Sequence, residues 1–354
     1  MILVDLKDGQ GLGNQLWLLA VGIYISNKKS RKLVIRNIQK FKADDLLTEK
    51  FFLYIELFSN YHLDIVWNVF NPLAFKYGFD ENNIYFQEDK KFLDLFDMFE
   101  YIEIDGNYQS ITLIPEPEIL NKFFNFNKTK FKRIINYSNT CLINIRGGEY
   151  LGLLKSPCVS LKYIYGCIEI IKKKIPNIDF KIITDDYQFA KIILPEYEIL
   201  YGNLEQDYLN LESANYLILS NSSFAFFPTY LSNNKKIILA PFMWAGSNNF
   251  NKNKIWLSPC NFNKIFSFVN EDGELINNYN YFKAVFDSSN KILPPSASML
   301  FKRKFKFISE NNKDIKVDIK SKFFYKIKRK ILLLKWGLKK IKYLFFKKIY
   351  NFYY

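Results

Sequence analysis

CLINIRGGEY, Cys141 to Tyr150, is an apolar run of strand length that stops at an arginine backed by two glycines. Short apolar runs closed by turn-forming residues read as buried strands. The same rhythm recurs downstream in FKIITDD (180–186), EYEILYG (196–202), NYLILSN (215–221) and KKIILAPF (235–242), with intervals long enough for helices. Five such strands in about 100 residues predict an α/β unit with a parallel, doubly wound sheet. Open sheets of this kind bind ligands outside the carboxyl ends of their strands. The residues that follow each run therefore carry the functional information: RGGEY at 146–150, TDD at 184–186 and SNSSF at 220–224.

Upstream, ILVDL (2–6) reads as a strand, NQLWLLAVGIYISNKK (14–29) as a helix with Leu16, Leu19, Ala20 and Ile23 at three- and four-residue steps, and KLVIR (32–36) as a second strand. Between the first two lies DGQGLGNQLW (8–17). A dinucleotide clamp needs G-x-G-x-x-G and an acidic residue about 20 positions on. Gly9, Gly11 and Gly13 give G-x-G-x-G, Asn14 takes the third glycine's place, and Arg31 and Arg36 make the following region basic. The loop therefore reads as a tight strand-to-helix turn rather than an NAD site. From 40 to 137 the chain is aromatic and irregular, with helical patterns in FLYIELF (52–58) and KFLDLFDMFEYI (91–102) and a polar island, IDGNYQS (104–110). The change of rhythm near NYSNT predicts an N-terminal α/β domain over 1–137, a nucleotide-binding Rossmann-like domain over 138–300 and a tail over 301–354.

Composition narrows the functions. The net charge is +15, and residues 301–354 hold 18 Lys or Arg against Glu310, Asp314 and Asp318, so the first 300 residues balance to zero. A neutral body argues against nucleic-acid binding, the competing class for a chain with a basic, aromatic tail. Cys141, Cys158, Cys167 and Cys260 show no CxxC spacing, and His62 is the one histidine. Neither a zinc site nor a disulfide framework is expected. MILVDLKDG has no basic segment followed by an apolar stretch, which predicts a cytoplasmic, reduced protein. In the tail, Phe324, Ile327, Ile331, Leu334, Leu338, Ile341 and Phe345 lie on one helical face among lysines, with apolar runs no longer than four residues. This pattern is too interrupted to span a bilayer. It suits a helix over 323–349 lying on an anionic membrane surface, the alternative being packing on the protein itself.

Arg146 beside two glycines suits a bidentate contact to phosphate, the alternative being a structural ion pair. SNSSF at a helix start offers hydroxyls and unsatisfied N–H groups to an anion, the alternative being simple capping by Ser222 or Ser223. With the carboxylates of TDD, the three strand ends resemble a pocket for a nucleoside diphosphate. GQGLGNQL (9–16), GNYQS (106–110), NIRGGEY (144–150), ITDD (183–186) and SNSSFAFF (220–227) stand in the order and approximate spacing of the alpha-1,2-fucosyltransferases of glycosyltransferase family 11, over about residues 1–250.

That resemblance implies a two-domain GT-B enzyme that moves L-fucose from GDP-fucose to a galactoside hydroxyl of a surface glycan, with inversion and without a metal or other cofactor. It implies that Arg146 holds the leaving diphosphate, that Asn144 and Asp185 approach the guanine, and that Asn221, Ser222, Ser223 and Phe224 complete the nucleotide-sugar cradle. Gly11, Gly13, Asn14 and Gln15 would form the opposite lip of the cleft. The family's H-x-R-R-G-D-Y motif reads here with Asn144, Gly147 and Glu149 in place of its histidine, second arginine and aspartate. Glu149 and Asp105 are the candidate general bases, whereas His62 reads as structural. A donor carrying another GDP- or UDP-linked sugar is the alternative within the same fold. A lipid-linked acceptor at the cytoplasmic face would account for a membrane-binding tail.

Overall fold

The computed structural model describes residues 1–48, 102–104, 113–124, 126, 138–148, 150, 159–200, 202–233, 236–242 and 265–276 with their side chains, and strands at 56–58, 68–70, 77–79, 84–86, 255–256 and 292–293 by their backbone. The chain opens with β1 (Ile2–Asp5), α1 (Leu12–Lys29) and β2 (Leu33–Arg36), followed by β3 (Glu56–Phe58), β4 (Asn68–Phe70), β5 (Tyr77–Phe79), β6 (Ile84–Phe86), β7 (Ile102–Ile104) and α2 (Pro117–Phe124). β3, β2, β1, β7 and β4 form a parallel sheet in that order. FLYIELF, expected to be helical, instead supplies β3 from its last three residues, where pairing with β2 overrides the local 3.6-residue pattern.

A second sheet follows: β8 (Thr140–Ile145), α3 (Leu161–Lys174), β9 (Asp179–Thr184), α4 (Tyr187–Ile193), β10 (Glu198–Leu200), α5 (Leu204–Ser213), β11 (Tyr216–Ile218), α6 (Ser223–Tyr230), β12 (Ile237–Pro241), β13 (Ile255–Trp256), β14 (Ser267–Val269) and β15 (Ile292–Leu293). Its order is β10-β9-β8-β11-β12-β14, parallel throughout, which is the 3-2-1-4-5-6 winding of a Rossmann sheet. All five strands read from the apolar runs are present, and β14 is a sixth that its short SFV sequence did not reveal. The strand order reverses between β8 and β11. The loops that leave these two adjacent strands, 146–148 and 219–222, flank the switch point.

Alternation along β8 divides the interior. Cys141, Ile143 and Ile145 pack with Tyr163, Ile164, Cys167 and Ile168 of α3, while Leu142 faces the cluster that also contains α1 and α6. α1 is buried on nearly every side, because it lies between the first sheet and α6 of the second. Trp17 is fully buried and stacks on Phe226 at 4.4 Å between ring centroids, with Phe227 edge-on at 5.1 Å. This aromatic contact joins the two halves in one continuous core. An interface so apolar restrains the relative motion that is the default between sub-domains.

Candidate active site

The carboxyl end of the first sheet is closed by ion pairs. Arg36, at the end of β2, donates through Nη2 to Asp5 Oδ2 at 2.8 Å and to Glu103 Oε2 at 3.3 Å, and Asn37 Nδ2 donates to Asp5 Oδ1 at 2.6 Å. Burial pushes the Asp5 carboxyl up, but the hydrogen bonds from Arg36 and Asn37 and the guanidinium charge outweigh it and hold it below its ordinary value. An arginine thus fills the place where a dinucleotide site would need an acid, in agreement with the reading of the loop as a turn.

From that loop, α1 runs directly into the second half of the molecule. A Cβ on Gly13 would lie 2.3 Å from the backbone of Ser223 and Phe224, so only glycine permits this approach. The contact brings together the first turns of α1 and α6. Ser160, Asp186 and Asn203 cap α3, α4 and α5 by accepting the N–H of Tyr163, Phe189 and Gln206. Gly11 and Ser222, which precede α1 and α6, make no side-chain cap. Capping by Ser222, the bland alternative for this motif, is therefore absent from the fold. Two helix N-termini without side-chain caps, each carrying partial positive charge, thus come together at Gly13 and Ser223.

The loop after β8 is held by Asp185. Its Oδ2 lies 2.8 Å from Arg146 Nη1, and its Oδ1 accepts the Gly147 N–H at 2.9 Å. Gly148 adopts φ +39°, and a Cβ there would meet Asp185 Oδ2 at 2.5 Å. At Gly147 the space for a side chain is filled by the Phe189 ring and Asp186, 2.6 and 3.0 Å from where a Cβ would stand. The second arginine of the family motif thus has no room in this chain. Arg146 also stands over the Tyr150 ring, 5.2 Å from its centroid. Its guanidinium carries five N–H donors in a rigid fork, and Asp185 fixes the orientation of that fork.

Other predicted residues lie at the same strand ends and helix starts. Asn144 and Ser220 are buried, and the Ser220 hydroxyl donates to Asn144 Oδ1 at 2.8 Å, joining β8 to β11 at the switch point. Asn144 thus braces the ends of β8 and β11, and Asp185 orients Arg146. Asn221 and Ser222 are buried, Ser223 is half-buried, and Phe224 packs edge-on to Tyr208. On the opposite lip, Gly11 is exposed and Asn14 half-buried. Gln15 departs from the expectation of a cleft residue: it is fully buried, its amide donating to the Lys40 carbonyl at 2.7 Å and accepting the Lys42 N–H at 2.9 Å. A polar side chain inside a packed helix must find such partners, and these fasten the segment after β2. Glu149, Asp105, His62, GNYQS and the tail lie outside the described residues.

One residue escaped the sequence reading. Asp207, in the first turn of α5 just beyond β10, has a buried Oδ1 with no hydrogen-bond partner, and burial pushes its carboxyl up to about 7. Its sequence signal is GNLEQD (202–207), a polar stretch that follows the third strand of this sheet.

Residues 100–262 match the family model described as Glycosyl transferase family 11. Over these residues the chain is similar to glycosyltransferase family 11. They contain four of the five stretches that carry the resemblance, with the Gly9–Leu16 loop lying ahead of them. An alpha-1,2-colitosyltransferase of Escherichia coli is 24% identical over 275 residues, 69% of this chain and 93% of that protein. Among solved structures, the fucosyltransferase NodZ from Bradyrhizobium is 13% identical with a TM-score of 0.41, over 65% of this chain and 93% of that one. The E. coli heptosyltransferase WaaC with ADP is 8% identical with a TM-score of 0.38, over 82% and 100% of the two chains. The described residues form an α/β protein with two larger parallel sheets.

Proposed function

We propose that this glycosyltransferase moves L-fucose from GDP-fucose to a galactoside hydroxyl, forming an alpha-1,2 linkage with inversion. The observation that carries the reading is the meeting of two helix N-termini without side-chain caps at Gly13 and Ser223, one strand away from the loop that presents Arg146. The two helix ends touch, so the diphosphate lies over their shared rim, beside Arg146, rather than between them. As the acceptor hydroxyl attacks the anomeric carbon from the face opposite the leaving group, charge develops on the departing phosphate oxygens. Arg146 and the N–H groups of α1 and α6 meet that charge without reorganising. Preorganised donors of this kind contribute roughly 3 to 4 kcal/mol each to the transition state. The general base is assigned to the segment around Glu149.

The similarity to an enzyme named for colitose supports a second donor, GDP-colitose. Colitose is L-fucose without its 3-hydroxyl, so a site that hydrogen-bonds this hydroxyl discriminates strongly, whereas an apolar one accepts both sugars. Release of free GDP from GDP-fucose and GDP-colitose, measured with galactoside acceptors, separates the readings. Turnover of GDP-fucose with a new alpha-1,2 linkage supports the first, and release of UDP from a UDP-sugar in preference to either would overturn both.

A further inference from the structure

We infer that Asp44, Asp45 and Glu205 form a binding site for a hard divalent cation of the calcium type, built from both halves of the molecule. Asp44 and Asp45 lie on a single 3-10 turn (Asp44–Leu46) that follows the first sheet's β2, and Glu205 lies in the first turn of α5 in the second half. One carboxylate oxygen from each falls within 4.8 Å of the others. Calcium binds oxygen at about 2.3 to 2.6 Å, so ligands on opposite sides of one ion stand about 4.6 to 5.2 Å apart, which accommodates this spacing.

Glu205 separates this cluster from ordinary surface acids. It is 9% exposed, and no lysine, arginine or hydrogen-bond donor among the described residues partners its carboxylate. A buried carboxylate is normally paired or coordinated to a metal. The positive end of α5 offsets part of the Glu205 charge. Lys40 is turned elsewhere, with its Nζ 3.1 Å from Asp8. Asp44 and Asp45 are exposed, leaving the outer face of an ion open to water. The geometry is prepared from below: Gln15 fastens the backbone of Lys40 and Lys42, two residues ahead of Asp44. An ion here would clamp the two halves from outside, in addition to the aromatic contact within.

Titration calorimetry and thermal melting of the full chain, with calcium chloride against EDTA, test the site independently of any activity. The wild type should bind one ion with a Kd on the order of 0.1 mM and melt several degrees higher in saturating calcium. Glu205→Gln should melt at or above the wild type in EDTA, because a buried charge is removed, and should gain nothing from calcium. The double variant Asp44→Asn, Asp45→Asn changes exposed residues only and should also lose the response. A wild type without calcium-dependent heat or melting shift, or a double variant that keeps both, would overturn the proposal.

Discussion

Individual residues in this molecule are constrained more by what approaches them than by their own chemistry. Gly13 and Gly11 belong to one motif, yet a Cβ at Gly13 would collide with the backbone of α6 and one at Gly11 would meet nothing within 4 Å. Gly13→Ala should destabilise the fold by about 3 kcal/mol through overpacking. Gly11→Ala, a poor residue before a helix, should cost under about 1 kcal/mol. Urea unfolding of the two variants makes the comparison. Asp5 provides a pH prediction. Its carboxyl is held below the ordinary value, so the stabilisation is fully present above about pH 4 and is lost as the pH falls through the lowered value. Unfolding followed between pH 6 and pH 2 should show this loss, and Asp5→Asn should flatten it. In the sequence, Arg146 stood out because it follows a strand and precedes two glycines. Its partner Asp185 is 39 positions away, and their pairing is not legible because register across β8 and β9 is invisible in one dimension.

At the scale of elements, the strongest coupling is between α1 and α6. Their first turns meet at Gly13, and one turn further along Trp17 stacks on Phe226. Trp17→Ala should remove about 3 to 5 kcal/mol, seen as a lowered melting temperature with the secondary structure of the folded state retained. The second sheet was legible because buried parallel strands are near-continuous apolar runs separated by amphipathic helices, and its ligand-binding end follows from the winding. β3 was not legible: three residues of an edge strand carry no period of their own, and their conformation is set by β2. The buried role of Gln15 was hidden for a related reason. Glutamine in a sequence reads as polar and accessible, and only the loop at 40–42, brought back over α1, turns it into an internal support.

For the whole molecule, the charge divides the chain into a neutral body and a tail that carries the full excess of +15. Among the described residues no helix is long and apolar enough to cross a membrane. We propose that residues 323–349 bind an anionic membrane surface. The full chain should sediment with phosphatidylserine vesicles in low salt and be released by high salt, each basic residue near the surface contributing about 1 kcal/mol. A chain ending at residue 300 should stay in the supernatant. The body is expected to keep the proposed nucleotide site in either form, because the residues assigned to it lie between Gly11 and Phe224. We propose that the switch point of the second sheet, beside the first turn of α1, holds the diphosphate of a GDP-sugar. Calorimetric titration of GDP into the wild type and Arg146→Ala, with circular dichroism to verify folding, tests it directly. The wild type should bind GDP in preference to UDP, and the variant should bind at least about 10-fold more weakly with an unchanged spectrum. Equal affinity for GDP in the two proteins would contradict it.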